Sequence, residues 1–142
     1  MKKIKSKKKV VIISAIAVAL IVGIVTFILC LGPDVPEDAS EAAQALTEAG
    51  YLDVRCEDGL TASAQINVGG LEFKVTGYKI DEDYDFIEIY YFKSDTAADE
   101  AWLTIQKIAY SDPEAYRDDF VCEKSDSIIW FGTKGAVEAT NR

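Results

Sequence analysis

FIEIYYF, residues 86–92, runs directly into KSDTAADEAW, residues 93–102, and this junction decides how the chain folds. Six of the seven residues in FIEIYYF are β-branched or aromatic, a composition that favours a pleated, buried strand. Alternation places Ile87, Ile89 and Tyr91 on one face and Phe86, Glu88, Tyr90 and Phe92 on the other. Ser94 or Asp95 then supplies a helix cap. Ala98, Ala101, Trp102, Ile105, Ile108 and Ala109 follow at helical spacing, which predicts an amphipathic helix to about Tyr110 with only Leu103 off its stripe.

Working outward, LEFKVTGYKI (71–80) alternates toward a second strand, with Gly77 as a candidate bulge. The polar run 81–85 links it to FIEIYYF. Leu52, Val54 and Cys56 alternate with charged residues as a half-buried strand. Residues 61–68 fit either a strand or a helical turn. Asp38 and Glu41 mark a helix start, Ala39, Ala42, Ala43, Leu46 and Ala49 share a face, and Gly50 marks its end. Asp112-Pro113 ends the long helix or starts one more turn. Beyond it, Phe120–Glu123 and Ile128–Phe131 flank Ser125-Asp126-Ser127 as a hairpin, and a short helix from Lys134 is expected to be capped by Thr133. Short links between strands favour antiparallel pairing. The expected architecture is α+β: a two-layer antiparallel sheet with helices packed on one face, following an N-terminal transmembrane helix.

Charge organises the rest of the chain. The 142 residues carry a net charge of −9, but Lys2, Lys3, Lys5, Lys7, Lys8 and Lys9 hold six of the 15 basic residues with no acid among them. From Gly32 onward there are nine basic and 24 acidic residues, net −15. Between these blocks Val10–Leu31 runs 22 residues without a charge. As a helix it would be roughly 33 Å long, close to the ~30 Å hydrocarbon core of a bilayer. The expected organisation is a basic cytoplasmic stub (1–9), a transmembrane signal anchor (10–31), a linker (32–37) and an extracytoplasmic α+β domain (38–142), oriented by the positive-inside rule. A cleaved signal peptide is the rival, but its apolar stretch is usually ~7–15 residues, and Pro33 would follow the only small-x-small site. Ala15, Ala19 and Gly23, spaced by four, are candidates for helix–helix packing within the span.

The composition excludes several kinds of chemistry. There is no histidine, which removes His-based triads and imidazole bases. A net charge of −15 opposes the phosphate backbone, so no nucleic-acid partner is expected. No G-x-S-x-G, G-x-G-x-x-G or P-loop occurs. The alternating Asp81, Asp83 and Asp85 carry the wrong residues for an EF-hand, with Phe86 at the sixth position and Phe92 at the twelfth. They read as a solvated hairpin turn. No catalytic residue, metal or cofactor is expected. Cys56 and Cys122 both lie on expected strands and are candidates for a disulfide. If helices cover only one sheet face, Phe86, Glu88, Tyr90 and Phe92 are left exposed as a candidate partner-binding strip.

The segments EAAQALTEAGYLDV, FIEIYYFKSDTAADEAW and IIWFGTKGAVEA resemble a loose group of small, membrane-anchored extracytoplasmic proteins of Gram-positive bacteria. Those proteins share a helix ending in Gly-Tyr, an aromatic strand leading into an Asp/Ala-rich helix, and a last strand followed by Gly-Thr. The resemblance spans about 100 residues. It implies a fold and an anchor, and no activity. The expected function is therefore a non-enzymatic binding or accessory domain anchored in the cell membrane, with an unidentified protein or cell-envelope partner. Two alternatives are a carboxylate-based hydrolase of cell-wall sugar, which needs two converging acids, and a structural or signalling role through the span itself.

Overall fold

The computed structural model describes residues 34–142. The expected span Val10–Leu31, with Ala15, Ala19, Gly23 and Cys30, lies outside the described residues. No helix among the described residues is long and apolar enough to cross a membrane.

Helix α1 (Ala39–Glu48) is followed by strand β1 (Leu52–Asp58), helix α2 (Gly59–Ile66), and strands β2 (Leu71–Ile80) and β3 (Tyr84–Phe92). Helix α3 (Asp95–Ser111) and a 3-10 turn (Pro113–Tyr116) lead to strands β4 (Phe120–Ser125) and β5 (Ile128–Thr133) and helix α4 (Lys134–Ala139). The five strands form one antiparallel sheet in the order β1-β2-β3-β5-β4.

The helix starts follow the sequence. Asp38 accepts the Ser40 and Glu41 N–H groups at 2.8 and 3.3 Å, and Ser94 accepts that of Ala97 at 3.1 Å. All three bonds satisfy donors that the first helical turn leaves unpaired. Asp112 does both of the things expected of it, ending α3 and capping the 3-10 turn through the Glu114 N–H at 2.8 Å. Thr133 departs from expectation. It makes no side-chain cap for α4, because its hydroxyl donates to Asp85 Oδ1 at 2.7 Å.

The segment 61–68, ambiguous by pattern, falls for the most part in helix α2 (Gly59–Ile66), which Asp58 caps. The irregularity expected at Gly77 lies in its partner strand. Pairing breaks register between Leu52 and Arg55, and Asp53 adopts a φ of 49°. Gly77 itself stays in register with Ile87, and its missing side chain makes room for Val54 and Leu46.

The helices do not share one face. Val35, Ala39, Ala42 and Leu46 pack with Ala136, Val137 and Ala139 of α4 against Val75, Ile87, Ile89, Tyr91, Ile128 and Trp130. On the opposite face Ala62 of α2 and Ala98, Ala101, Ile105 and Ala109 of α3 pack against Leu71, Phe86, Tyr90, Phe92, Ile129 and Phe131. The fold is thus α+β with three layers, helix–sheet–helix, where two were expected. The reason lies in β3: both of its alternating faces are apolar. Burying a large side chain contributes about 1.5–3 kcal/mol, so leaving either face wet would forfeit several such terms.

The candidate Cys56–Cys122 disulfide is ruled out by strand order. Cys56 is on β1 and Cys122 on β4, the two opposite edges of the sheet. Four strand spacings separate them, about 19 Å at ~4.8 Å each, against ~7 Å as the limit for bridging. They also face opposite layers, since Cys56 pairs beside Val75 and Cys122 beside Phe131. Both thiols are free.

Candidate functional site

The candidate partner-binding strip is mostly core. Phe86, Tyr90 and Phe92 are buried beneath the alanine-rich stripe of α3. Small side chains on that stripe let the helix approach closely, and the aromatic rings fill the space between. Glu88 is the exception and remains half-buried. It accepts the Tyr90 hydroxyl, and Lys74 Nζ lies 3.6 Å from its Oε2 and 5.4 Å from the centre of the Tyr90 ring. Burial, and then the adjacent Glu88 charge, push the Tyr90 phenol far above its ordinary range. This trio satisfies a carboxylate placed on the central strand of the sheet.

The accessible part of this face is the corner that α3 does not reach. Helix α3 packs on β3, β5 and β4, and α2 covers the β1–β2 end where Leu71 lies. At the opposite end, cross-strand pairing sets Leu52 beside Tyr78, Tyr78 beside Phe86, and Ile80 beside Tyr84. Leu52 is 52% exposed, Ile80 68% and Tyr84 41%. Leu52 reaches this corner because of the Asp53 bulge; simple alternation would have put it with Val54 and Cys56 on the α1 side.

Aromatic packing fixes the patch. Tyr84 stacks on Phe86 at 5.6 Å between centroids, and Tyr78 leans against Tyr84 at 6.3 Å and 40°. Arg117 ties the following loop to the same place. Its guanidinium donates to the Tyr84 carbonyl, to both carboxylate oxygens of Asp119 at 2.9 Å each, and to Glu114 at 3.0 Å. Partial burial, then the charges of Asp112 and Glu114 and, more weakly, Glu88, raise the Tyr84 phenol above its ordinary value. An exposed aromatic and aliphatic floor thus has carboxylates on its rim.

The α1 side carries a different feature, a cleft of about 440 Å³ lined by Glu48, Tyr51, Lys79, Asp81, Asp85 and Glu138 among others. Its charges are largely committed. Lys79 Nζ donates to the Ala49 carbonyl at 3.1 Å and lies 3.4 Å from Asp81, while Asp85 holds Thr133. Burial, then Asp85, push the Tyr51 phenol up to about 12. Asp81 and Asp83 sit in the β2–β3 turn and Asp85 on β3, and among the described residues no three His, Cys, Asp or Glu side chains are grouped to hold a metal ion. Burial raises both thiols above their ordinary value, that of Cys122 to about 11.

Sequence reasoning singled out Glu88 but missed Leu52, Tyr78, Ile80 and Tyr84 as members of one surface. The Asp53 bulge carries no distinctive sequence signal. Ile80 next to the acidic turn was the available clue, since a large apolar residue beside DEDYD has no neighbours to bury it. No family model, curated protein or solved structure matches the chain.

Proposed function

We propose that this chain is a single-span membrane protein whose acidic α+β domain is a non-enzymatic binding module on the extracytoplasmic side. Location rests on sequence: six lysines, 22 uncharged residues and a −15 remainder, in that order. The observation that carries the binding role is the uncovered sheet corner, where Leu52, Ile80 and Tyr84 expose apolar surface that a self-sufficient domain would bury. The group of anchored extracytoplasmic proteins that the chain resembles fits the same reading.

Two measurements in intact cells test it. Single-cysteine variants of a Cys-free chain, at Ser6 and at Ser111, are treated with a membrane-impermeant maleimide. The Ser111 variant is expected to label before lysis and the Ser6 variant only after it. A photo-crosslinking amino acid at Ile80 is expected to trap a second protein. Labelling of Ser111 only after lysis overturns the topology, and a domain that crosslinks nowhere overturns the binding role.

A further inference from the structure

We propose that the corner formed by Leu52, Tyr78, Ile80 and Tyr84 receives a basic segment of another protein, one that presents an apolar side chain flanked by lysine or arginine. This rests on the binding-module reading and specifies its partner.

Size sets the first constraint. The patch spans three strands and about two residues along each, roughly 10 Å by 7 Å at ordinary sheet spacings. That accommodates one or two apolar side chains. Tyr84 and Tyr78, tilted against each other, also offer ring faces of the kind that attract lysine and arginine heads.

Charge sets the second. The cations on this face are already engaged: Arg117 with Asp119 and Glu114, Arg55 with Asp53, and Lys74 with Glu88. Glu82 and Asp83 in the turn between Ile80 and Tyr84, and Asp112 beside the Tyr84 ring, have no ion-pair partner among the described residues. The rim is therefore net negative and complements a cation.

The same charge argues against two other occupants. A second copy would bring another −15 against the first. An anionic bilayer surface would repel the domain in the same way. Strand addition at the β1 edge is also disfavoured, because the bulge at Asp53 and the alternating charges of Asp53, Arg55 and Glu57 blunt that edge. The contact is made through the face of the sheet.

The test uses the full chain in zwitterionic nanodiscs, with empty discs as the blank, and three labelled peptide amides: Arg-Leu-Arg-Leu-Arg, Arg-Ser-Arg-Ser-Arg and Glu-Leu-Glu-Leu-Glu. The first is expected to bind at least about tenfold more tightly than either of the others, because one seated leucine and the opposite charge each contribute at that level. Leu52→Ser/Ile80→Ser/Tyr84→Ser is expected to erase the preference for leucine over serine. Leu60→Ser/Leu103→Ser, which removes two exposed leucines elsewhere, leaves it intact. Ile80→Ser alone, at a solvent-exposed position, gives a partial loss if the triple variant unfolds. Equal binding of the two arginine peptides, or a preference that survives both Ile80→Ser and the triple variant, overturns the proposal in favour of a diffuse acidic field. Crosslinks from Ile80 in cells without a peptide preference overturn the partner chemistry alone and leave the binding module standing.

Discussion

Gly132 lies in β5 opposite Ile87, where β5 joins the central strand. A methyl group built there would stand 2.1 Å from the Phe86 carbonyl oxygen and 2.8 Å from the Ile87 Cα, with backbone φ at 154°. Carbon–oxygen contacts in sheets sit at about 3.3–3.6 Å, so Gly132→Ala must force the strands apart by about 1.2 Å. Both contacts are backbone, so no side-chain rotation relieves them. Opening the ladder costs one or two hydrogen bonds at about 1 kcal/mol each, and the overpacking adds about 1–3 kcal/mol. The total is about 2–5 kcal/mol, which for a domain of this size lowers Tm by roughly 10–25 °C. Trp130, on the same strand and 2% exposed, reports the transition by its fluorescence. Gly69→Ala is the matched control, since nothing lies within 4 Å of its Cβ position and its φ is ordinary. Its Tm should be unchanged or slightly raised. A Gly132→Ala protein melting within 3 °C of wild type, on the order of the half-kcal/mol scatter of surface changes, would refute the tight β3–β5 register on which the central core depends.

Four further outcomes follow from individual contacts. Ser94→Ala removes the cap of α3 and should cost about 1 kcal/mol in urea unfolding, with Ser94→Asp restoring most of it. Tyr90→Phe takes the hydroxyl from Glu88 and should cost about 1–2 kcal/mol; a neutral effect would mean that water replaces the bond. The Glu123 carboxyl is raised above its ordinary 4.5 by burial and then by hydrogen bonding to Asp34. The folded state therefore keeps its proton longer than the unfolded state. Its stabilising share is present below pH 4.5 and is lost as pH rises through the folded value, so Glu123→Gln should flatten that part of a stability–pH profile. Reductant should change neither Tm nor the count of titratable thiols, and a thiol count that rises with reductant would contradict the edge-to-edge separation of Cys56 and Cys122.

Local signals were legible in the sequence because they depend on neighbours close in the chain. Ser94 and Asp38 declare their helices, FIEIYYF its strand, and Ser125-Asp126-Ser127 its hairpin. What escaped depends on strand order or on two segments meeting. Cys56 and Cys122 look alike as strand residues, and only the order β1-β2-β3-β5-β4 sends them to opposite edges. The exposure of Phe86, Tyr90 and Phe92 was misjudged for a related reason. Residues 61–68 alternate as Ala62, Ala64, Ile66 and Val68, which suits a strand as well as a helix, so α2 and the layer it shares with α3 stayed hidden. The apolar character of both faces of β3 already required two helical layers. Glu88, the one charge on that face, pointed instead to solvent, because its Tyr90 and Lys74 partners are supplied by the fold.

The position of the uncovered corner follows from connectivity. The helices that cover the sheet sit at its chain ends and in its longer links: α1 enters before β1, α2 links β1 to β2, α3 links β3 to β4, and α4 leaves β5. The β2–β3 link is a turn of Asp81, Glu82 and Asp83, too short to fold back over either face. On the α1 side, α1 and α4 flank the cleft beside that turn, with Tyr51 and Lys79 filling part of the space. On the α3 side, the 17 residues of α3, about 25 Å as a helix, run over β3, β5 and β4 and leave β1 and β2 aside. A tight acidic turn thus creates the gap and charges its rim at once. Lengthening the turn with an apolar segment that folds over Ile80 and Tyr84 should therefore abolish capture of a partner at this corner, while leaving the Trp130 melting transition of the five-stranded sheet in place.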